Sequence, residues 1–342
     1  MQNNRVYILA IESSCDDTSV AVLCNDVVLS NIVASQKIHE QYGGVVPELA
    51  SRDHEKNLVP VVMEALKVAN IKLVEINAIA VTYGPGLMGS LLVGLSFAKS
   101  LALALNIPLI AVNHMQAHVL AHFIRNPAEQ QAKLDFPFLC LTVSGGHTQL
   151  IMVKDYFDFN LIGETTDDAV GEAFDKAAKI LGLAYPGGPL IDRFAKNGNA
   201  NKYSFPKAKV GGYDFSFSGI KTSFLYFIRD QVKVDNDFVE KNIEDICASY
   251  QNHLINTLLE NTAKAMEEYG IRTLALAGGV SANSCLRSKV NELCESKNWS
   301  AKIPPFEYCT DNAAMIGIAA YFKFLKKEFE NLSIIPNVNI HI

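Results

Sequence analysis

Apolar residues fall along this chain in short runs broken by polar or glycine-bearing turns. Val6–Ile11 and Ser19–Leu23 are two such runs, separated by Glu12-Ser13-Ser14-Cys15-Asp16-Asp17-Thr18, and this pattern predicts strand, turn, strand. The same plan returns at Phe138–Val143, Ser144-Gly145-Gly146-His147-Thr148 and Gln149–Val153. A second motif also recurs. Ala78–Val81 predicts a strand that enters Tyr83-Gly84-Pro85-Gly86 and then a helical segment from Leu87 to about Leu105. Thr273–Ala277 runs likewise into Gly278-Gly279-Val280-Ser281 and a helix from about Ala282. Each half of the chain thus predicts a hairpin followed by strand, glycine turn and helix, a recurrence of pattern rather than of residues. Two such α/β halves facing each other would leave a cleft walled by glycine turns, the kind of place where ligands bind. The polar stretch Asn126–Lys133 is the expected hinge. A last helix, roughly Asn312 to Phe329, is expected to pack back on the first half.

Composition narrows the class. The chain has 342 residues, 49% of them apolar and 19% charged, which suits two domains with sizeable cores and excludes a largely disordered chain. Its formal charge is −6, whereas a protein gripping RNA by itself through counterion release would be basic. A partner or a local patch must supply positive field if RNA is a substrate. The seven cysteines include no C-x-x-C pair, so a disulfide scaffold or Cys-type zinc site is not expected, and a reducing cytoplasm fits. The longest uncharged stretch, Ala78–Ala98, contains Gly84, Pro85, Gly86, Gly89 and Gly94 and reads as buried strand, turn and helix rather than a membrane span.

Candidate chemistry starts after the apolar run Ile107–Val112. Asn113 is a good helix N-cap, and His114 and His118 then share one helical face at a spacing that lets both reach one metal ion. Taken alone, that spacing more often marks structural histidines; its place at the end of a strand, where α/β sites collect, favours the metal. His122 extends the stripe and reads as a flanking group. A zinc protease needs Glu directly after the first histidine, and here Met115, Gln116 and Ala117 offer no base. Two histidines hold a metal poorly, and Asp311 is the best candidate for a carboxylate, against its plain reading as a helix N-cap. Asp16 and Asp17 are further acidic candidates, against ordinary turn propensity.

The turns Ser144-Gly145-Gly146 and Gly278-Gly279 lack the lysine of a P-loop, yet glycine there lets backbone amides approach a phosphate or carboxylate. Asp175, near Gly187-Gly188, and Asp192 could accept from ribose hydroxyls, and Asn283 could read an adenine edge or merely cap a helix. Gly211–Lys221 interleaves aromatics with glycine and lysine, preceded by Lys202, Lys207 and Lys209. That mixture suits either stacking on unpaired bases or a surface loop packing its own aromatics.

Nine segments in order resemble the universal tRNA N6-adenosine threonylcarbamoyltransferase family, whose bacterial branch (TsaD) was once described as a glycoprotease. They are Ile11–Thr18, Gly43–Glu48, Gly84–Leu87, Asn113–His118, Val143–Thr148, Gly171–Lys176, Tyr185–Pro189, Phe215–Gly219 and Gly278–Asn283. The resemblance implies an actin/Hsp70/sugar-kinase-like α/β fold with two RNase H-like lobes around a nucleotide cleft. Boundaries at 1–132, 133–311 and a C-terminal helical segment 312–342 follow. It also implies the reaction, in which threonylcarbamoyl-adenylate gives its acyl group to N6 of adenosine 37 in tRNAs reading codons that start with A, and AMP leaves. By position, metal ligands fall on His114, His118 and Asp311, for iron(II) by preference or zinc. Contacts to the adenylate fall on Thr142, Val143, Ser144, Gly145, Gly146, Asp175, Gly188, Asp192 and Asn283. Archaeal and eukaryotic relatives have Tyr where Thr142 stands, so no phenolate completes this coordination. Many members have Glu where this chain has Gln116, which receives no catalytic role. Asp16 is the expected group that orients or deprotonates the acceptor amine. Expected partners are the tRNA anticodon loop, a metal-less paralogue (TsaB) and an ATPase (TsaE), with no membrane. The competing readings are a metalloendopeptidase and a non-catalytic scaffold subunit of the same fold.

Overall fold

The computed structural model describes residues 5–127, 134–208 and 210–342, except the side chains of Lys37 and Glu40. The chain divides into two compact units, Met1–Leu134 with Pro305–Ile342, and Asp135–Pro304. Most of the expected hinge, residues 128–133, lies outside the described residues, as does Lys209. Residues 305–311, placed with the second lobe from sequence, belong to the first unit.

The first unit holds strands β1 (Tyr7–Glu12), β2 (Asp17–Cys24), β3 (Val27–Ser35), β4 (Ala78–Gly84) and β5 (Leu109–Asn113), in sheet order β3-β2-β1-β4-β5. β1–β2–β3 is an antiparallel meander, and β1, β4 and β5 run parallel. Its helices include α1 (Pro47–Ala69), α2 (Met88–Leu105) and α3 (His114–Leu120). The second unit repeats the topology. Strands β6 (Phe138–Val143), β7 (Thr148–Asp155), β8 (Asp158–Glu164), β9 (Thr273–Ala277) and β10 (Ser300–Lys302) lie in the order β10-β9-β6-β7-β8. Again a meander is followed by two strands parallel to its first. Its helices are α4 (Val170–Ile180), α5 (Gly187–Ala195), α6 (Ser218–Val234), α7 (Phe238–Tyr269) and α8 (Ser284–Lys297) among the described residues. The chain then returns to the first unit with α9 (Ala313–Lys326).

Local chemistry sets the element ends. Pro47 opens α1, where a missing N–H costs nothing, and Asn70 and Asn106 end α1 and α2 in the left-handed conformation that asparagine tolerates. Strands β1, β4, β5, β6 and β9 are almost wholly buried, β5 even at its sheet edge, so they read as nearly continuous apolar runs. The edge strands β3 and β8 were not evident in the sequence. Their exposed and half-buried positions lack a continuous apolar run. By length and composition alone α2 could cross a bilayer. Its buried face, Leu91, Gly94, Leu95, Ala98 and Ala102, belongs to the first unit's helices and sheet, while Met88, Leu92 and Leu103 are exposed.

Parallel strands that share a register end on the same sheet edge, and this is what assembles a site in such folds. In the first unit the last residues of β1, β4 and β5 are Glu12, Gly84 and Asn113.

Candidate metal centre and glycine turns

Asn113 closes β5 and caps α3. Its Oδ1 accepts from the backbone N–H groups of Met115 (2.8 Å) and Gln116 (3.2 Å), so the helix begins at His114. His114 and His118 follow one turn apart and are both buried. Across from them is Asp311, just before α9. Asn312, rather than Asp311, is the N-cap there, accepting from Met315 N–H at 3.1 Å. The plain reading of Asp311 as a cap is therefore displaced by its neighbour, and its carboxylate faces the histidines instead.

Three atoms converge. His114 Nε2 and His118 Nε2 are 3.1 Å apart, and Asp311 Oδ1 lies 3.3 Å from the first and 3.1 Å from the second. Metal–ligand bonds of about 2.0–2.2 Å put neighbouring ligand atoms roughly 2.9–3.4 Å apart in octahedral or tetrahedral geometry. All three edges of this triangle match that span. As hydrogen bonds only two of the three can form at once, since an Nε2–H on each imidazole donating to Asp311 would set two N–H groups against each other on the third edge. His118 Nδ1 is buried without a partner, so its Nε2 face is the one engaged. The residues thus fit a small divalent cation. His122 lies in the short 3-10 turn after α3 and Gln116 is half-buried; neither belongs to the triangle.

In the second unit the register pairs Thr142 of β6 with Ala277 of β9, so the turns after both strands leave one sheet edge. Ser144 N–H donates to the His147 carbonyl (2.8 Å), and His147 N–H donates to Ser144 Oγ (3.0 Å), closing the first turn. Gly171 N–H, in the first turn of α4, donates to the Ser144 carbonyl at 3.2 Å. Asp175 accepts from Gly187 N–H (2.8 Å) and so holds the start of α5, where Gly188 sits. Asp192 accepts from Ser284 N–H (3.2 Å) and Oγ (2.8 Å). Asn283 caps α8 through Leu286 N–H (3.0 Å) and donates to Gln251 Oε1 (2.7 Å). Gly145 and Gly146 face open space, whereas the side chains of Thr142 and Val143 are fully buried.

The tRNA N6-adenosine threonylcarbamoyltransferase (TsaD) family model matches residues 27–318. A protein of that name from Christiangramia forsetii is 60% identical over 334 residues, covering 98% of both chains. The chain belongs to this family. Solved structures with little sequence identity share its fold. Full-length HypF in its phosphate- and nucleotide-bound form gives a TM-score of 0.60 at 12% identity, covering 94% of this chain but only 46% of HypF. Component A of the Acidaminococcus fermentans (R)-2-hydroxyglutaryl-CoA dehydratase gives 0.52 at 14% identity, covering 93% of this chain and 98% of that one. Together with the repeated sheet order, these neighbours show the expected fold, with an RNase H-like topology in each unit of the actin/Hsp70/sugar-kinase kind.

Within this family member the structure decides one reading the sequence left open and adds a residue. Phe215 and Phe217 are fully buried in the second unit's core, so they are packing residues and cannot stack on bases. Lys202 and Lys207 pair with Asp245 and Glu260, and Lys221 pairs with Asp168. The addition is Glu12, the last residue of β1. Sequence reading placed it only as the start of a polar turn. It is fully buried beside His114, and a carboxylate ending an apolar strand was the available cue.

Charge in the first unit is crowded. Burial opposes a proton on His114, but the charges and hydrogen bonds of Asp311 and Glu12 outweigh it and hold its pKa well above 6.5. For His118 burial prevails and lowers the pKa. Burial also pushes Asp17 up to about 6, against a hydrogen bond from Ser35 and with help from Asp16, Asp311 and Glu12. A folded pKa above the ordinary 3.8 means that this group's stability contribution is complete below about pH 4 and is lost as pH rises through 6. Asp17→Asn is therefore expected to be more stable than the parent at about pH 8, by at most about 3 kcal/mol, and to melt close to it only at about pH 3.5. Thermal melts at both pH values check this, and an equal gap at the two would refute it.

Proposed function

We propose that the chain transfers the threonylcarbamoyl group of threonylcarbamoyl-adenylate to N6 of adenosine 37 in tRNAs that read codons starting with A, releasing AMP. Beyond family membership, the observation carrying this reading is the convergence of His114, His118 and Asp311 in a chain without the base of a zinc protease. An exocyclic adenine amine is a weak nucleophile, because its lone pair is delocalised into the ring, so the acyl donor must be strongly activated. His114, His118 and Asp311 would hold a divalent ion, which would supply Lewis-acid polarisation of an acyl oxygen; the donor set accepts iron(II), which we favour, or zinc.

The chain's own residues do the rest. Backbone amides of Gly145 and Gly146 are suited to hold the adenylate phosphate. Thr142 and Val143 set the strand end from which that turn leaves, and Asp175, Asp192 and Asn283 fasten the neighbouring turns. We assign Asp16, in the loop after β1, to orient the amine and take its proton. N6 attacks the carbonyl carbon, the acyl–phosphate bond breaks, the proton passes to Asp16 and AMP leaves with the bonding electrons. The anticodon loop presents the unpaired base without opening a duplex.

The net charge of −6 argues that this chain grips tRNA together with partners, a metal-less paralogue (TsaB) and an ATPase (TsaE), in the cytoplasm. Reconstitution tests the whole reading. The chain is mixed with these partners, labelled threonylcarbamoyl-adenylate and unmodified tRNA, and nucleosides are analysed by mass spectrometry. Label on N6 of adenosine 37 is expected, with Asp16→Ala slowed about 100-fold. Unlabelled tRNA from the complete mixture would overturn it.

A further inference from the structure

The carboxylate at the end of β1 has no role in the reaction as derived above, and its surroundings are unusual. Glu12 is completely buried. Its Oε1 accepts from Ser14 N–H at 2.6 Å, and its Oε2 accepts from Thr82 Oγ1 and faces His114 Nδ1 at 3.2 Å. No lysine or arginine is hydrogen-bonded to it among the described residues. Desolvating a carboxylate is costly, and a merely structural position would be served as well by glutamine.

We propose that Glu12 is the positioning residue for His114, fixing which imidazole nitrogen carries the proton and where the other points. The inference rests on the reading of His114 as a metal ligand. An ionised carboxylate only accepts hydrogen bonds, so the nitrogen facing it, Nδ1, must be the N–H. Nε2, the atom that faces His118 and Asp311, is then the nitrogen that gives up its proton and offers its lone pair when a metal binds. Ser14 Oγ, 3.3 Å from the same Nδ1, leaves that assignment unchanged because a hydroxyl can accept. Glu12 is itself held by strand geometry. Glu12 ends β1, Thr82 lies on the adjacent parallel strand β4, and the Ser14 amide is two residues further on. Metal-bound histidines are commonly supported by a carboxylate in this way. His118 has no such support, since its Nδ1 is without a partner. Orientation of the pair therefore depends on Glu12.

The test is metal affinity, read by Co(II) absorption and by chelator competition with Zn(II), on the purified full chain without tRNA or donor. Glu12→Gln keeps the shape. If its amide NH2 faces Nδ1, the imidazole is pushed to the opposite tautomer, with a proton on Nε2. If its oxygen does, two donors meet a donor at Ser14. Affinity is expected to fall about 10–100-fold, with Glu12→Asp recovering part of it and the Co(II) spectrum of Glu12→Gln altered. Melting temperatures of the metal-free variants show whether the fold is intact. A folded Glu12→Gln chain that binds Co(II) as tightly as the parent, with the same spectrum, overturns this inference and leaves the metal site standing. A parent chain that binds neither ion overturns the metal site itself, and this inference with it.

Discussion

His118→Ala is expected to lose tight divalent-metal binding, weakening it by about 100-fold or more, and to abolish threonylcarbamoyl transfer in the reconstituted mixture. The size follows from the number of ligands. A complete four-ligand zinc site binds with about 10–16 kcal/mol, roughly 2.5–4 kcal/mol for each ligand, and each 1.4 kcal/mol is tenfold. Here only three side chains converge, so the loss of one leaves two, and no other His, Cys, Asp or Glu among the described residues joins the cluster. His118 also contributes two of the three edges of the triangle, 3.1 Å to His114 and 3.1 Å to Asp311. The metal-free variant should still fold, because the lost side chain already carries an unpaired buried nitrogen and its removal uncovers no new unsatisfied donor there. Chelator competition measures the affinity, and added Zn(II) should raise the melting temperature of the parent but not of His118→Ala. Equal affinities for parent and variant would show that the ion, if bound, sits elsewhere.

Gly278→Ala is expected to destabilise the second unit by about 3–5 kcal/mol. Gly278 has φ +83°, where a side chain is strained, and an added methyl would lie 2.5 Å from the Val143 carbonyl oxygen and 2.9 Å from its carbon. Neither backbone can yield cheaply. The two residues follow directly on Ala277 and Thr142, a registered pair in the centre of the sheet, so relief requires parting β6 from β9. The matched control is Gly145→Ala, where a methyl meets nothing within 4 Å and melting should stay near the parent. Urea melts followed by a probe in the second unit measure both. Metal binding in the first unit should survive in the folded fraction of either variant. A Gly278→Ala chain that melts with the parent would mean that the β6–β9 edge is far softer than its register implies.

Much of this architecture was legible from local pattern. The hairpin at residues 6–23, its counterpart at 138–153, and the two strand–glycine–helix segments all stand where the apolar runs placed them. Those calculations of pattern work because a central strand is apolar along its whole length and a turn needs residues of particular conformation. The N-cap of Asn113 was equally local, since a cap bonds its own next turn. The edge strands β3 and β8 escaped because water reaches them and their composition is mixed. The aromatic stretch around Phe215 and Phe217 was left between base stacking and packing, and burial decided for packing.

By itself, then, the sequence determined the element types, the repeated plan and the placing of two histidines on one face of one helix. Asp311 was only a candidate there, and tertiary structure decided that it, and Glu12, meet them. Asp311 is 193 residues from His118 and Glu12 is 102 residues from His114, and no periodicity reaches across such distances. Their meeting depends on the parallel register of β1, β4 and β5 and on the return of α9 to the first unit. The same structure chose Asn312 over Asp311 as the cap of α9, a choice between adjacent residues that propensity cannot make, since both are good caps. That choice left Asp311's carboxylate facing the histidines.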